Sequence, residues 1–227
     1  LDRRYARVLE RLRAGGRIVD LGCGNVPVQG ATAAVDLHVD PVERALGHGE
    51  RIQAERFRER GIRFENQRID RPLPFADKEF DFAYSAHVFE HLEDPATACL
   101  EMMRVAKAGV IITPSIFAEV AFGRPYHRWL VIDGDRKLCF FPKKIEEDRP
   151  FGEHPAYAEG VGYHATPATN PFDIALDDGE WYRQPVGPET TRLRNSLRHH
   201  YYGHTPVMEV VFNWEDSFDF EICGRRD

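Results

Sequence analysis

Hydrophobic positions in the first half of the chain follow two alternating periods. Tyr5, Val8, Leu9 and Leu12 recur at helical spacing in a charged stretch, which predicts an amphipathic helix over about residues 2–14, closed by Gly15 and Gly16. Short apolar runs then predict strands at Arg17–Leu21, Ala33–Asp36, Ile62–Ile69, Asp81–Ser85 and Val110–Thr113. The stretch Pro41–Arg60 favours a helix. A second helix opens at Asp94-Pro95, where the carboxylate can cap free N–H groups and proline suits a position that needs no donor. Cys99, Met102, Met103 and Ala106 give that helix a buried stripe, and Gly109 is expected to stop it. Strand and helix thus alternate from 17 to 113, the pattern of a parallel, doubly wound sheet.

Beyond Pro114 the texture changes. Trp129 to Phe141 predicts a β-hairpin turning at Asp133-Gly134-Asp135. Residues 142–189 are proline-rich and aperiodic, as expected of a loop, lid or insertion, and a helix is expected at about 189–201. Val207–Trp214 and Ser217–Cys223 alternate as two antiparallel strands joined at Glu215-Asp216.

Composition removes several classes of function. The 227 residues are 42% hydrophobic and 30% charged, as in an ordinary globular protein. No apolar run is long enough for a membrane helix. A formal charge of −7 argues against duplex nucleic acid as a partner. The densest basic run, Arg192, Arg194 and Arg198 with His199 and His200, reads as a solvated helix face. The charged start is no signal peptide, and the absent initiator Met is expected of a trimmed chain or one that begins inside a longer protein. Cys23, Cys99, Cys139 and Cys223 form no CxxC pair, so neither a disulfide scaffold nor a structural zinc site is expected, and a cytoplasmic setting fits.

The chemistry concentrates where the first strand meets Gly22-Cys23-Gly24. A strand carrying Asp20 and running into Gly-x-Gly lets backbone approach a ligand closely. Asp36 ends the second strand, where a carboxylate can accept from ribose hydroxyls, and Asp70 is expected at the end of the third. Three acidic strand ends would then face one crevice. A nicotinamide dehydrogenase is disfavoured because Pro27 stands where its third glycine belongs.

Asp20-Leu21-Gly22-Cys23-Gly24 resembles the first motif of class I S-adenosylmethionine-dependent methyltransferases. The block Leu73-Pro74-Phe75-Ala76-Asp77-Lys78-Glu79-Phe80-Asp81, continuing through His87-Val88-Phe89-Glu90-His91-Leu92-Glu93-Asp94-Pro95, is similar to a later segment of that family, and Arg104-Val105-Ala106-Lys107-Ala108-Gly109 to another. The loop after Gly24 is similar to a branch with a GCG–x–x–P pattern.

The resemblance implies an α/β fold: a Rossmann-like, doubly wound, mostly parallel sheet with a C-terminal antiparallel hairpin and an inserted substrate-recognition region. Residues 1–114 would form the cofactor core, 115–205 the insertion, and 206–227 the strands completing the sheet. It implies S-adenosyl-L-methionine as cofactor, held by Asp20, Gly22, Cys23, Gly24, Asp36, Leu37, Asp70 and Ser85. It also implies methyl transfer to oxygen or nitrogen of a small molecule, with a sugar, sugar nucleotide or glycan precursor preferred and a natural product second. A non-catalytic scaffold that binds the cofactor is the reading from another class.

A hydroxyl acceptor needs a base. His87, His91 and His127 are the candidates, with Glu90 behind them; His91 can equally hydrogen-bond within the fold. Tyr126-His127-Arg128-Trp129 could grip a sugar, phosphate or carboxylate, or could be core and surface. His154, His164, His199, His200 and His204 match no metal-ligand spacing, so no metal is expected.

Overall fold

The computed structural model describes residues 3–37, 54–122, 127–134, 137–142 and 208–223. In chain order the elements are α1 (Arg3–Ala14), β1 (Ile18–Leu21), β2 (Ala33–Asp36), α2 (Ala54–Glu59), β3 (Arg63–Asn66), β4 (Phe82–Ala86), a 3₁₀ turn (Phe89–His91), α3 (Pro95–Val105), β5 (Ala108–Pro114), α4 (Ile116–Phe122), β6 (Trp129–Gly134), β7 (Lys137–Pro142), β8 (Glu209–Glu215) and β9 (Asp219–Ile222). Among the described residues no helix is long and apolar enough to cross a membrane.

The main sheet runs β3-β2-β1-β4-β5-β8. Its first five strands are parallel, and β8 pairs antiparallel with β5. The order reverses between β1 and β4, which makes this the Rossmann-like, doubly wound α/β sheet expected. Successive side chains of a strand point to opposite faces. Ile18, Phe82, Val110, Ile112 and Val211 therefore join Val8 of α1 in one core. Val19, Ala83, Ile111 and Phe212 meet Cys99, Met102 and Val105 of α3 on the other side.

Asp94 caps α3 as expected, accepting from Thr97 N–H at 3.3 Å, with Pro95 at the first position. The helix ends at Val105, however, and Gly109 lies inside β5. It is there because a Cβ would fall 2.5 Å from the carbonyl oxygen of Ala83 and 2.8 Å from the Trp214 ring. Packing between neighbouring strands, not helix termination, requires that glycine.

A second sheet, β6-β7-β9, packs beside the first. The β6–β7 hairpin is present, with pairing that continues to Gly134 and Lys137. The C-terminal pair forms a hairpin only at its tip: Glu215 bridges Ser217 around Asp216 (φ 62°). Beyond it, β8 stays in the main sheet while β9 pairs parallel with β7. The expected helix over 41–60 is seen as α2 in its described part. The expectations for 143–207, including the helix at 189–201 and the basic run, lie outside the described residues.

Gly109→Ala is expected to destabilise the fold by about 1–3 kcal/mol, the usual range for forcing atoms into a filled core. Urea denaturation measures it, and a change within about 0.5 kcal/mol, typical of an innocuous surface substitution, would refute the packing role.

Candidate functional site

A cavity of about 190 Å³ opens beyond the carboxyl ends of β1 and β2, with Gly22, Asp36, Leu37, Asp70, Val88 and His91 in its wall. It adjoins Leu37, the last described residue before 54. Ligands of open α/β sheets sit at this edge. A larger hollow of about 670 Å³ lies by Arg7, Gly109 and Glu215, at the opposite, amino-terminal edge of the parallel strands.

The loop after β1 is shaped by two contacts. Gly22 (φ 89°) has Val88 where its side chain would be, since a Cβ would fall 2.1 Å from Val88 Cγ2. Its missing side chain thus admits Val88, and the backbone that the valine leaves uncovered lines the cavity. Asp20 lies beneath, only 3% exposed, and accepts the Val28 N–H at 2.7 Å. Burial, with Asp36 nearby, raises its pKa to about 7 in spite of that hydrogen bond. A carboxylate in this state gains from a cation placed beside it.

Asp36 accepts from the N–H groups of Gly24 (2.7 Å) and Leu37 (2.6 Å), so it binds the two loops together at the cavity wall. Asp70 lies in the loop after β3, not at the strand end. It is fully buried, paired bidentately with Arg68 at 2.7 and 2.6 Å, and accepts Asp94 N–H at 3.3 Å. Burial works against its charge, but Arg68 and the Asp94 amide hold its pKa below the usual carboxylate value. These bonds make it a brace beside the cavity.

Two expected cofactor residues face elsewhere. Cys23 packs against Ala34, Phe57 and Ile62 behind the loop. Ser85 is buried and donates to the Leu21 carbonyl at 2.7 Å, tying β4 to β1. Gly24 (φ 53°) has open space where a Cβ would stand.

The histidines separate into different roles. His87 takes a left-handed backbone (φ 56°), which sends its ring toward β8. There Nε2 donates to Glu209 Oε1 at 3.0 Å, and Nδ1 stands 3.6 Å from Glu90. Burial opposes the charged form, but the two carboxylates outweigh it and raise the pKa to about 10. Both ring nitrogens of His87 thus face carboxylates of the fold. His91 is half-buried in the cavity wall. His127 is buried against His91, with ring centroids 4.7 Å apart, and its Nδ1 is hydrogen-bonded to Glu119 of α4.

Of the segment expected to grip an acceptor, residues 127–129 are described. Trp129 is core, donating its indole N–H to the Leu92 carbonyl at 2.7 Å and packing edge-on to Phe140. Arg128 is exposed, and its guanidinium stands 3.6 Å from Glu93. Tyr126 lies outside the described residues.

Residues 19–113 match the family described as methyltransferase domain. Over 147 residues the chain is 31% identical to an uncharacterized methyltransferase of Schizosaccharomyces pombe, covering 58% of this chain and 51% of that protein. Over 185 residues it is 29% identical to a ubiquinone biosynthesis O-methyltransferase of Methylococcus capsulatus, covering 74% of this chain and 75% of the relative. The chain thus spans about half the length of the first relative. A solved S-adenosylmethionine-dependent methyltransferase from Mesorhizobium loti aligns at 19% identity and a TM-score of 0.40, over 90% of this chain and 95% of that one.

Residues 19–113 are a class I S-adenosylmethionine-dependent methyltransferase domain.

Within this methyltransferase domain, the conspicuous block 73–81 serves the architecture. Leu73, Phe75 and Phe80 are buried, and Arg104 of α3 donates to the carbonyls of Leu73 (2.9 Å) and Phe75 (2.7 Å). Cavity residues that the sequence reading missed are Val88, Arg68 and Ile69. For Val88 a signal existed in the block around His87, but only the fold shows that it fills the space above Gly22.

The raised pKa of Asp20 has a definite sign. Its neutral form is favoured by folding, so its contribution is fully present below the unfolded carboxylate value near 4 and is lost as pH rises through about 7. The ligand-free chain is expected to lose thermal stability between pH 5 and pH 8, and Asp20→Asn to flatten that slope. Calorimetric melting at both pH values checks this; an unchanged slope in the variant would remove Asp20 as its source.

Proposed function

We propose that the chain is an S-adenosylmethionine-dependent methyltransferase acting on an oxygen of a small molecule. The observation that carries this is the cavity at the ends of β1 and β2, with Asp20 buried and near neutrality behind the Gly22 loop. The residues suit the cofactor. Asp20 offers a carboxylate whose charge a neighbouring ammonium would restore, Asp36 and Leu37 form the wall suited to a ribose, and Gly24 leaves open space. Bound there, the cofactor supplies an electrophilic methyl group on a sulfonium.

The chain's own residues then have three tasks. Asp36 holds the Gly24 and Leu37 loops in one register. Val88 seals the space above Gly22. His91, the one of the three expected catalytic histidines in the cavity wall, meets the acceptor.

Oxygen is preferred to nitrogen because one relative is named an O-methyltransferase. The sugar or glycan acceptor expected from the sequence has no support among the relatives. That relative is named for ubiquinone biosynthesis and favours another small hydroxylated molecule. The region 115–205 is proposed to shape acceptor choice.

Titration calorimetry with S-adenosylmethionine and S-adenosylhomocysteine tests the cofactor site. Asp36→Ala is expected to weaken both by about 10- to 100-fold, the range for losing a hydrogen bond to a charged group. Wild-type protein that binds neither compound would overturn the reading. Transfer of labelled methyl into amines but not into hydroxylated acceptors would overturn the preference for oxygen.

A further inference from the structure

Glu90 presents a problem the methyl-transfer reading does not use. It is 1% exposed, and among the described residues neither carboxylate oxygen has a partner at hydrogen-bond distance. A buried carboxylate in this state is costly unless something positive meets it. The nearest nitrogens to its Oε1 are His87 Nδ1 at 3.6 Å and His91 Nε2 at 3.8 Å, both beyond good hydrogen-bond distance. The His87 ring is already committed to Glu209.

On the other side stands His127. Among the described residues, Glu90, His91 and His127 form a group whose ligand atoms all lie within 4.8 Å of one another. Three elements bring them together. The 3₁₀ turn supplies Glu90 and His91. The strand entry before β6 supplies His127, fixed where Arg128 N–H donates to the Glu90 carbonyl at 2.7 Å. Helix α4 supplies Glu119, which takes the Nδ1 side of His127. A carboxylate on one ring nitrogen orients a histidine so that the other nitrogen faces an ion.

We propose that Glu90, His91 and His127 bind one divalent first-row transition ion, with Glu119 positioning His127 through Nδ1. Two imidazoles and one carboxylate suit zinc, manganese, iron or cobalt, and suit magnesium or calcium poorly. Ligands of one such ion lie roughly 3–3.5 Å apart, given bonds of about 2.0–2.2 Å, so the side chains close in by at most about 1–2 Å. Three protein ligands leave a coordination position open. Because His91 also lines the cavity, that position is placed to take an acceptor oxygen. The spacing escaped the sequence reading because His127 is far from Glu90-His91 in the chain and joins them only through the fold.

Untagged full-length protein, stripped with chelator and titrated with Co²⁺, tests the site without reference to catalysis. The wild type is expected to take up one equivalent, with visible absorption from nitrogen and oxygen ligation and a raised melting temperature. Glu90→Gln and His127→Gln are expected to abolish the absorption. Glu119→Gln is expected to weaken uptake about 10- to 100-fold, as loss of an orienting partner does. No stoichiometric uptake by the wild type, or equal uptake by both ligand variants, overturns the proposal. If Glu90→Gln fails to fold by circular dichroism, His127→Gln decides. The inference stands on these residues and not on the cofactor reading: calorimetry with S-adenosylmethionine on the stripped protein keeps the two failures apart.

Discussion

Val88 pressing into the space above Gly22 is the contact on which the rest of the site depends. It locks the loop after β1 to the segment after β4, across the point where the strand order reverses. On one side of the lock, Asp36 gathers the Gly24 and Leu37 backbones. On the other, the chain passes directly into the 3₁₀ turn that carries Glu90 and His91. Any side chain at position 22 would push these halves apart, so the two sides of the cavity share one fixed distance. The left-handed backbone at His87 belongs to the same device. It turns the chain so that successive residues face β8, the loop after β1 and the buried core.

Charge in this region is arranged by burial more than by surface pairing. Asp20, Asp70 and Glu90 are all withdrawn from water, and each is treated differently. Asp70 receives a full guanidinium clamp and keeps its charge. Asp20 receives one amide and sits near neutrality. Around Glu90 three imidazoles outweigh burial and hold its pKa down, yet among the described residues none comes nearer to its carboxylate than the 3.6 Å of His87 Nδ1. The clamped group has its bonds met within the fold, whereas the two under-satisfied ones still have something to gain from a partner.

The sheet was legible from sequence because its strands are short, apolar and fully buried, and its helix α3 has both a capping Asp94 and Pro95. The Gly22 loop and Asp36 were legible through spacing alone. What the sequence does not record is which residues the fold uses internally. Ser85 ties β4 to the Leu21 carbonyl of β1, and Cys23 packs against Phe57 of α2, roles the sequence does not record. Trp129 reads equally as a sugar platform or as core, and only the Leu92 carbonyl decides. Gly109 follows a helix closely enough to resemble its stop, but two neighbouring strands determine it. In each instance the deciding partner is distant in sequence, which no local pattern records.

Glu209 joins the two ends of the described chain: it accepts from Tyr5 of α1 and from His87, and it begins the strand that closes the sheet along β5. All seven residues of β5 are buried, and β8 covers its outer edge. During synthesis that edge stays unpaired until β8 has left the ribosome. A polypeptide stopped short of residue 209 would therefore expose a long apolar ladder of open N–H and carbonyl groups, the template from which intermolecular strand stacking begins.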